Sequence, residues 1–176
     1  GLVSADFYLK NPLYRPLHGA PKDPNTFLIF DLDNTLYSCH DSFSQRYSNV
    51  TLDFIKEHLN VTASEASETI KKYYAEFGSP IRGMLLKGEL LDHRDYERYV
   101  DEHSDYRLMK PIKGLRELLK SSSATLVILS NSGKRHTQRA LRQLHLEDLF
   151  EYLFFADFSR PGQWISKPDV KSYKRV

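Results

Sequence analysis

The segment 27–37, which reads FLIFDLDNTLY, constrains the fold of this chain more than any other. Its four apolar residues Phe27–Phe30 suit a strand that is buried on both faces of a parallel sheet. Asp31 and Asp33 would then project from the carboxyl end of that strand, the edge where open α/β sheets bind ligands. Two carboxylates this close raise each other's pKa unless a cation compensates, so a hard divalent metal such as Mg²⁺ is the expected third member. One carboxylate could attack phosphorus while the other moves a proton, although Asp and Asn after a strand also form simple Asx-turns.

The composition fits one globular domain, or a core with a modest insertion. The chain has 176 residues, of which 40% are hydrophobic, and a net charge of +2, which is too balanced for nucleic acid to be the main partner. A single cysteine, Cys39, excludes an internal disulfide and fits a reducing compartment. The sequence contains no transmembrane run and no secretory signal. We therefore predict no membrane partner and a cytoplasmic location, with the nucleus as the alternative.

Residues 41–104 have the apolar spacing of helices throughout. The first helix has Asp41 or Ser42 as its N-cap. The second begins at Thr62, which forms a capping box with Glu65, and ends at Gly78. A short helix over about 81–87 and another from 92 to about 103 follow. We predict a small helical bundle, called the cap below, over residues 40–104.

An alternating α/β pattern surrounds the cap. After Pro111 come a helix that carries Leu115, a strand over 124–129, a polar turn over 130–133, a helix over 134–145 and a strand over 152–156. Links this short between strand, helix and strand predict a parallel sheet. The predicted fold is therefore α/β, with a Rossmann-like parallel core of three strands over 27–39 and 105–176 and the cap inserted between them. Residues 1–26, with four prolines, read as an extended leader that is packed on the surface or partly disordered.

Two further polar groups fall at the same sheet edge as the aspartates. Ser130 follows the second strand, and its hydroxyl, with the free N–H groups of the next helix, could hold a phosphate oxygen, unless it is a simple helix cap. Lys167 follows the third strand and could neutralise both a phosphate and Asp31, although a lone lysine in a loop is usually solvated. Because the fold brings these strand ends together, the three signals support one phosphoryl-transfer site.

The full string DLDNTLY, the Ser130-Asn131 pair and the Lys167-Pro168 pair together resemble the motifs of haloacid dehalogenase-like phosphohydrolases. The resemblance covers residues 27–173. It implies that Asp31 is the nucleophile of an aspartyl-phosphate mechanism and that Asp33 is the general acid and then the base. It also implies that Mg²⁺ is bound by the Asp31 carboxylate and the Asp33 backbone carbonyl. Residues implied to support or bind the substrate phosphate are Thr35, Ser130, Asn131 and Lys167.

The cap resembles that of the subfamily with a helical-bundle cap. Its strings YYAEFG at 73–78 and IRG at 81–83, with ADFSR at 156–160, look like the branch that contains pyrimidine 5′-nucleotidases. This resemblance implies a nucleoside monophosphate as substrate, with Arg82 as a possible substrate contact or else a surface residue. The aromatic residues Tyr73, Tyr74 and Phe77 could stack a nucleobase, but a stripe at helical spacing usually belongs to a core. Trp164 is expected to be a structural anchor.

One element of the family pattern, an acidic metal ligand on a fourth strand, finds no match in the sequence. Three accounts are open: a shortened form of a longer chain, a degenerate relative used for binding, or completion of the sheet by another chain. Without that strand, the edge of Phe27–Phe30 would be exposed, and it could mediate self-association.

The leading hypothesis is a Mg²⁺-dependent phosphomonoester hydrolase that acts on a small phosphorylated metabolite, most plausibly a nucleoside monophosphate. The alternative is a non-catalytic binding or scaffold module with a degenerate phosphatase fold. A transferase or a dehalogenase is a third class, although a dehalogenase does not need the second aspartate, Asp33.

Overall fold

The computed structural model describes residues 8–16, 23, 25–162, 167 and 170–173. Four strands form one sheet: β1 (Tyr8–Lys10), β2 (Phe27–Phe30), β3 (Thr125–Gly133) and β4 (Tyr152–Ala156). The cap contains α1 (Ser42–Leu59), α2 (Ala63–Phe77), α3 (Pro80–Lys87) and α4 (His93–His103). A 3₁₀ turn (Tyr106–Leu108), α5 (Leu115–Lys120), α6 (Lys134–Gln143) and α7 (Val170–Tyr173) complete the described elements.

The sheet has the strand order β1-β4-β3-β2. Strands β2, β3 and β4 run parallel, so that Phe30 lies opposite Ile128 and Leu129 lies opposite Phe154. These are the three strands predicted from the sequence, and the predicted α/β class is confirmed. The carboxyl ends of all three point to one edge, which is where the polar residues of the next section gather.

A fourth strand, β1, was not predicted. It pairs antiparallel with β4, and the chain after it is fixed by Asn11, whose side-chain amide donates to the carbonyls of Glu147 and Phe150 at 2.6 and 2.8 Å. The segment 8–16 of the predicted leader thus packs beside β4 through β1 and Asn11, with a turn at residues 12–13. A strand of three residues is too short to show an alternating apolar pattern in the sequence. Its pairing with β4 is what identifies β1 as a strand.

The prediction that Phe27–Phe30 is buried on both faces is wrong for this chain. Phe27, Leu28 and Ile29 are 47%, 41% and 46% exposed, because β2 has a neighbour, β3, on one side only among the strands of the described residues. The exposed edge is the condition under which self-association was predicted, and the association itself stays a prediction. An unpaired apolar edge offers free N–H and C=O groups to any segment that can lie beside it.

The helices of the cap begin and end where the sequence signals place them. Asp41 caps α1, and Thr62 and Glu65 form the capping box of α2 with both reciprocal bonds present. Gly78 ends α2 in the left-handed conformation, with φ of 74°, which glycine adopts without steric cost. Within the described residues, no helix is long and apolar enough to span a membrane.

Two large apolar clusters lie on either side of the polar edge. One packs α6 and the chain around α5 against the sheet, with Ile128 and Leu141 fully buried. The other fills the cap, and it includes Phe158 from the segment after β4. Helix α1 belongs to both clusters, since Phe43 lies in the first and Phe54 in the second. The cap is therefore joined to the sheet by shared packing, and the space between the two is the cavity described below.

Candidate active site

A tight turn after β2 presents the two aspartates. The N–H groups of Thr35 and Leu36 both donate to the carbonyl of Leu32, and Asn34 takes a φ of 57°, which asparagine tolerates well. Leu32 and Leu36 are buried in the sheet cluster at 0% and 1% exposure. Because these two leucines anchor the turn from below, Asp31 and Asp33 are held on its outer side.

Asp31 and Lys167 form an ion pair across this edge. The ammonium Nζ of Lys167 lies 2.7 Å from Oδ1 of Asp31, and the backbone N–H of Leu32 donates to the same oxygen at 2.7 Å. The Asp31 side chain is 46% exposed, whereas that of Lys167 is 19% exposed. The carboxylate is therefore accessible to a ligand and already has a cation beside it.

Asp33 is surrounded by donors. Its Oδ1 accepts from the Tyr37 hydroxyl and contacts Nε2 of His136, both at 2.7 Å. Its Oδ2 accepts from the Ser132 hydroxyl at 2.6 Å and lies 3.5 Å from that of Ser130. These four side chains, called the Asp33 cage below, engage both oxygens of the carboxylate.

The cage favours the ionised form of Asp33. Burial by itself would raise the pKa of this carboxyl, but the positive charge of His136 and the hydrogen bonds from His136, Ser132 and Tyr37 outweigh it. The pKa of Asp33 therefore lies well below its usual range. Burial, followed by the charge of Asp33, raises the pKa of Tyr37, so its hydroxyl remains a donor.

His136 connects the cage to Tyr106, in the 3₁₀ turn, and to Tyr47, in α1. Its Nδ1 lies 2.7 Å from the hydroxyl of Tyr106, while its ring packs against that of Tyr47 with centroids 4.7 Å apart. The side chain is buried, with 6% exposure. Both ring nitrogens are thus occupied, which fixes the orientation of the imidazole toward Asp33.

The chain at 130–133 was predicted to be a polar turn, and the structure places it within β3. The pairing of β3 with β4 is irregular between Leu129 and Gly133, so these four residues are extended but shifted in register. Ser130 is buried, and its hydroxyl accepts from the N–H of Ser132 at 3.0 Å. The shift turns Asn131 and Ser132 toward the cavity between sheet and cap.

The cavity has a volume of about 310 Å³ and opens over the two aspartates. Tyr74 of α2 lines it, and desolvation there, followed by the charges of Asp33 and Asp31, raises the pKa of its hydroxyl. A second wall carries hydroxyl groups, since the Thr51 and Tyr96 oxygens lie 3.0 Å apart. Other residues of this wall and of the cavity mouth are Tyr47, Glu97, Asp101, Arg135 and Phe158.

Comparison with known proteins gives the family. The family model described as haloacid dehalogenase-like hydrolase matches residues 28–176. The chain belongs to this family. The match covers the three parallel strands from Leu28 onward, the cap and every residue of the site, so the superfamily predicted from the motifs is confirmed.

Three similar proteins share between 20% and 29% of aligned residues with this chain. Phosphate metabolism protein 8 of Saccharomyces cerevisiae is 29% identical over 166 residues, which are 88% of this chain and 51% of that protein. The chain thus spans about half the length of the curated relative that it matches. A Thermotoga maritima structure provisionally assigned as a beta-phosphoglucomutase is 21% identical, with 86% and 68% of the two chains covered and a TM-score of 0.48. A haloacid dehalogenase-like family hydrolase from Xanthomonas campestris is 20% identical, with 89% and 69% covered and a TM-score of 0.48.

The residues suited to a metal ion are few. Among the described residues, no group of three or more His, Cys, Asp or Glu side chains is placed to hold one. Haloacid dehalogenase-like hydrolases generally use Mg²⁺, an ion that keeps several waters and takes only one or two protein carboxylates besides substrate phosphate. The half-exposed Asp31 carboxylate fits that partial demand, and the Asp33 backbone carbonyl stays the second ligand that the resemblance implies.

The structure brings four of the predicted site residues to the cavity and leaves Ser130 and Thr35 outside its lining. It brings Asp31, Asp33, Asn131 and Lys167 to the cavity wall, with Ser130 buried behind them. The Thr35 hydroxyl lies 3.5 Å from the carbonyl of Asp33 and so supports the turn. The roles assigned to these residues stay predictions.

Arg82 is bound to the backbone. Its guanidinium donates to the carbonyl of Phe77 at 3.1 Å and to that of Pro161 at 3.0 Å. It therefore joins the cap to the chain after β4, and the substrate contact proposed for it stays a prediction. Tyr73 is buried in the cap as expected of a core stripe, whereas Tyr74 lines the cavity. Trp164 and Pro168 lie outside the described residues.

Sequence reasoning missed Tyr37, Tyr106, Ser132 and His136. Tyr37 was within reach, because it follows Asp33 by four residues in the same short turn. His136 had a weaker signal, a histidine in the first turn of a helix that begins at the ligand edge of the sheet. Tyr106 had none, since only the packing of the chain after α4 brings its hydroxyl to His136.

Proposed function

We propose that this hydrolase releases phosphate from small phosphomonoesters, with nucleoside monophosphates as its preferred substrates, through an aspartyl-phosphate on Asp31. The observation that carries the proposal is the 2.7 Å pair between Asp31 and Lys167 at the wall of the cavity. An accessible carboxylate beside a fixed ammonium is suited to attack a phosphoryl group, because the cation offsets the repulsion between two anions.

In the first step, an Asp31 oxygen forms a bond to phosphorus as the bond to the leaving oxygen breaks. The leaving oxygen takes a proton, and the alcohol departs. In the second step, water attacks phosphorus, gives a proton to a base and breaks the bond to Asp31, which releases inorganic phosphate. Lys167 holds the phosphoryl oxygens through both steps.

Asp33 is proposed as the group that gives and then takes the proton. The cage holds it ionised without substrate, which leaves no proton to give. The assignment therefore requires the Asp33 side chain to turn away from Ser132 and His136 and to bind a proton when substrate enters. The Asp33 side chain is 26% exposed and lines the cavity that substrate would enter.

Mg²⁺ is the proposed cofactor. The Asp31 carboxylate and the Asp33 backbone carbonyl would hold it, and water and substrate phosphate would supply its other oxygens. When bound, the ion would neutralise phosphoryl charge that Lys167 alone cannot balance.

A nucleotide is proposed as substrate for two reasons. The resemblance of the cap strings to the pyrimidine 5′-nucleotidase branch suggests one. The cavity also offers the exposed ring of Tyr74 and the hydroxyls of Thr51 and Tyr96, which suit a flat, polar group. The yeast relative, whose name places it in phosphate metabolism, supports phosphate chemistry in general.

The test is release of inorganic phosphate from purine and pyrimidine nucleoside 5′-monophosphates, glycerol phosphate and a sugar phosphate, with and without Mg²⁺. We expect Mg²⁺-dependent release that is fastest with nucleotides and is abolished by Asp31→Asn. Asp53→Asn, an isosteric change at a half-exposed residue of α1 that does not line the cavity, serves as the matched control and should retain activity. Activity that survives Asp31→Asn would exclude the proposed nucleophile.

The alternative, a non-catalytic binding module, predicts a different result. In that case no phosphomonoester is turned over, while nucleotide binding, measured by calorimetry, persists and is weakened by Lys167→Ala.

A further inference from the structure

Asn131, which the resemblance groups with the substrate-binding residues, makes three contacts with the backbone. The N–H of Lys167 donates to its Oδ1 at 2.9 Å, and its Nδ2 donates to the carbonyl of Lys167 at 3.0 Å. The same Nδ2 lies 3.4 Å from the carbonyl of Gly78, at the end of α2 in the cap. One amide therefore contacts both the lysine that faces Asp31 and the corner of the cap.

The two contacts with Lys167 have the form of an amide pair. The donor and acceptor of one side chain match the acceptor and donor of a single residue, which fixes both the position and the rotation of that residue's backbone. Lys167 lies beyond β4, and its side chain must reach across to Asp31. A residue that fixes the backbone of Lys167 thus determines where its ammonium group lies.

The cap has a second link to the same stretch of chain. Arg82 bonds the carbonyl of Phe77, next to Gly78, and the carbonyl of Pro161, six residues before Lys167. The corner between α2 and α3 is therefore tied to the chain after β4 directly by Arg82 and indirectly by Asn131 of β3. Residues of this corner also line the cavity. A displacement of the corner would therefore shift Lys167.

We propose that Asn131 is a positioning residue that holds Lys167 against Asp31 and couples its position to that of the cap. The inference deepens the proposed function and rests on it for its kinetic test, but the amide pair can be tested independently. It assigns to Asn131 an action through Lys167 in place of direct contact with the substrate phosphate.

The first experiment measures hydrogen exchange in the whole chain by mass spectrometry, over peptides that cover 158–173. Asn131→Ala should speed exchange there, because the Lys167 N–H loses its acceptor, and Asn49→Ala, on the exposed face of α1, should leave it unchanged. Asn131→Asp keeps the acceptor and should give an intermediate rate, which also guards against misfolding of the alanine variant. Unchanged exchange in Asn131→Ala would overturn the proposal, whether or not the protein is active.

The second experiment is a double-mutant cycle on kcat/KM. Loss of two hydrogen bonds should lower kcat/KM roughly ten- to a hundredfold in Asn131→Ala. In the Lys167→Ala background the same change should lower it less than about twofold, because the residue through which Asn131 acts is gone. A full effect in that background would mean that Asn131 contacts the substrate itself.

The coupling to the cap has its own variant. Arg82→Ala should speed exchange both at 74–82 and at 158–173, and a change confined to the cap would disprove the coupling. If the wild-type chain releases no phosphate from any ester, the proposed function fails, while the exchange measurements still decide the role of Asn131.

Discussion

Nε2 of His136 lies 2.7 Å from Oδ1 of Asp33, although 103 residues separate them in the sequence. The contact joins the first turn of α6 to the turn after β2, and the Tyr106 hydroxyl at Nδ1 completes a chain of three side chains. Since His136 is buried and Asp33 is mostly so, this contact bears on the stability of the fold as well as on the site.

Replacement of His136 by leucine should destabilise the protein by about 2–4 kcal/mol. The change takes from the Asp33 carboxylate its contact with Nε2 and leaves it the hydroxyls of Tyr37 and the two serines, and it takes from the Tyr106 hydroxyl its contact with Nδ1. A buried charge that loses part of its compensation is costly. Urea unfolding monitored by circular dichroism measures the effect. His136→Gln, which can still donate to Asp33, is the matched control and should lose less than half as much. Equal losses in the two variants would show that packing, and not the contact with Asp33, matters.

The stability of the fold should fall in acid because of Asp33. Its folded-state pKa lies below the value of about 3.9 expected in an unfolded chain, so the unfolded state binds the proton first. Its contribution is therefore present above about pH 4 and is lost as the pH falls further. Comparison of unfolding free energies at pH 7, 5, 4 and 3 should show a shallower decline in Asp33→Asn than in the wild type. Parallel curves would contradict the assignment, since the other carboxyl groups contribute equally to both proteins.

Gly83 in α3 should not tolerate a larger residue. A Cβ atom at this position would lie 2.5 Å from the ring of Tyr73, and that ring is held in place because its hydroxyl donates to Glu89 at 2.8 Å. Gly83→Ala should therefore destabilise the cap by about 1–3 kcal/mol, measured by thermal or chemical unfolding. Gly162→Ala meets no atom within 4 Å and is the control. A neutral Gly83→Ala would mean that α2 and α3 can move apart.

Replacement of Tyr74 should raise the KM for nucleotides more than the KM for other phosphate esters. Its side chain is 58% exposed at the cavity, where it can stack on a base. Loss of such a contact costs about 1–3 kcal/mol, so Tyr74→Ala should raise the KM for a nucleoside monophosphate about 5- to 150-fold. The KM for glycerol phosphate should change less than about twofold, and Tyr74→Phe should behave as the wild type with both. A similar rise with both esters would place Tyr74 near the phosphate and exclude the stacking role.

The elements whose signals are local could be predicted from the sequence. The capping box of Thr62 and Glu65 joins residues three positions apart, and Asp41 caps α1 over the same distance. The run of apolar residues before Asp31 likewise predicted β2 with its correct bounds. Such features depend on neighbouring residues alone, so the sequence shows them directly.

Features that depend on distant pairing were predicted poorly. The prediction that β2 is buried on both faces was wrong, because the burial of a strand depends on how many strands flank it. The four residues Phe27–Phe30 do not encode that number. The extension of β3 through Ser130 to Gly133 was missed, because polar residues read as a turn unless the neighbouring strand β4 is known to hold them extended.

Signals along the chain were enough to predict the family, the helical cap, the two aspartates at the ligand edge of a parallel sheet and a lysine near Asp31. The contacts of His136 and Ser132 with Asp33 and of Asn131 with Lys167 became visible in the folded structure, as did the distance between Lys167 and Asp31. The difference lies in the sequence separation of the residues involved. Motifs and caps are set by side chains within a few residues of each other, whereas these contacts join residues 36 to 136 positions apart and exist only once the sheet and cap have packed.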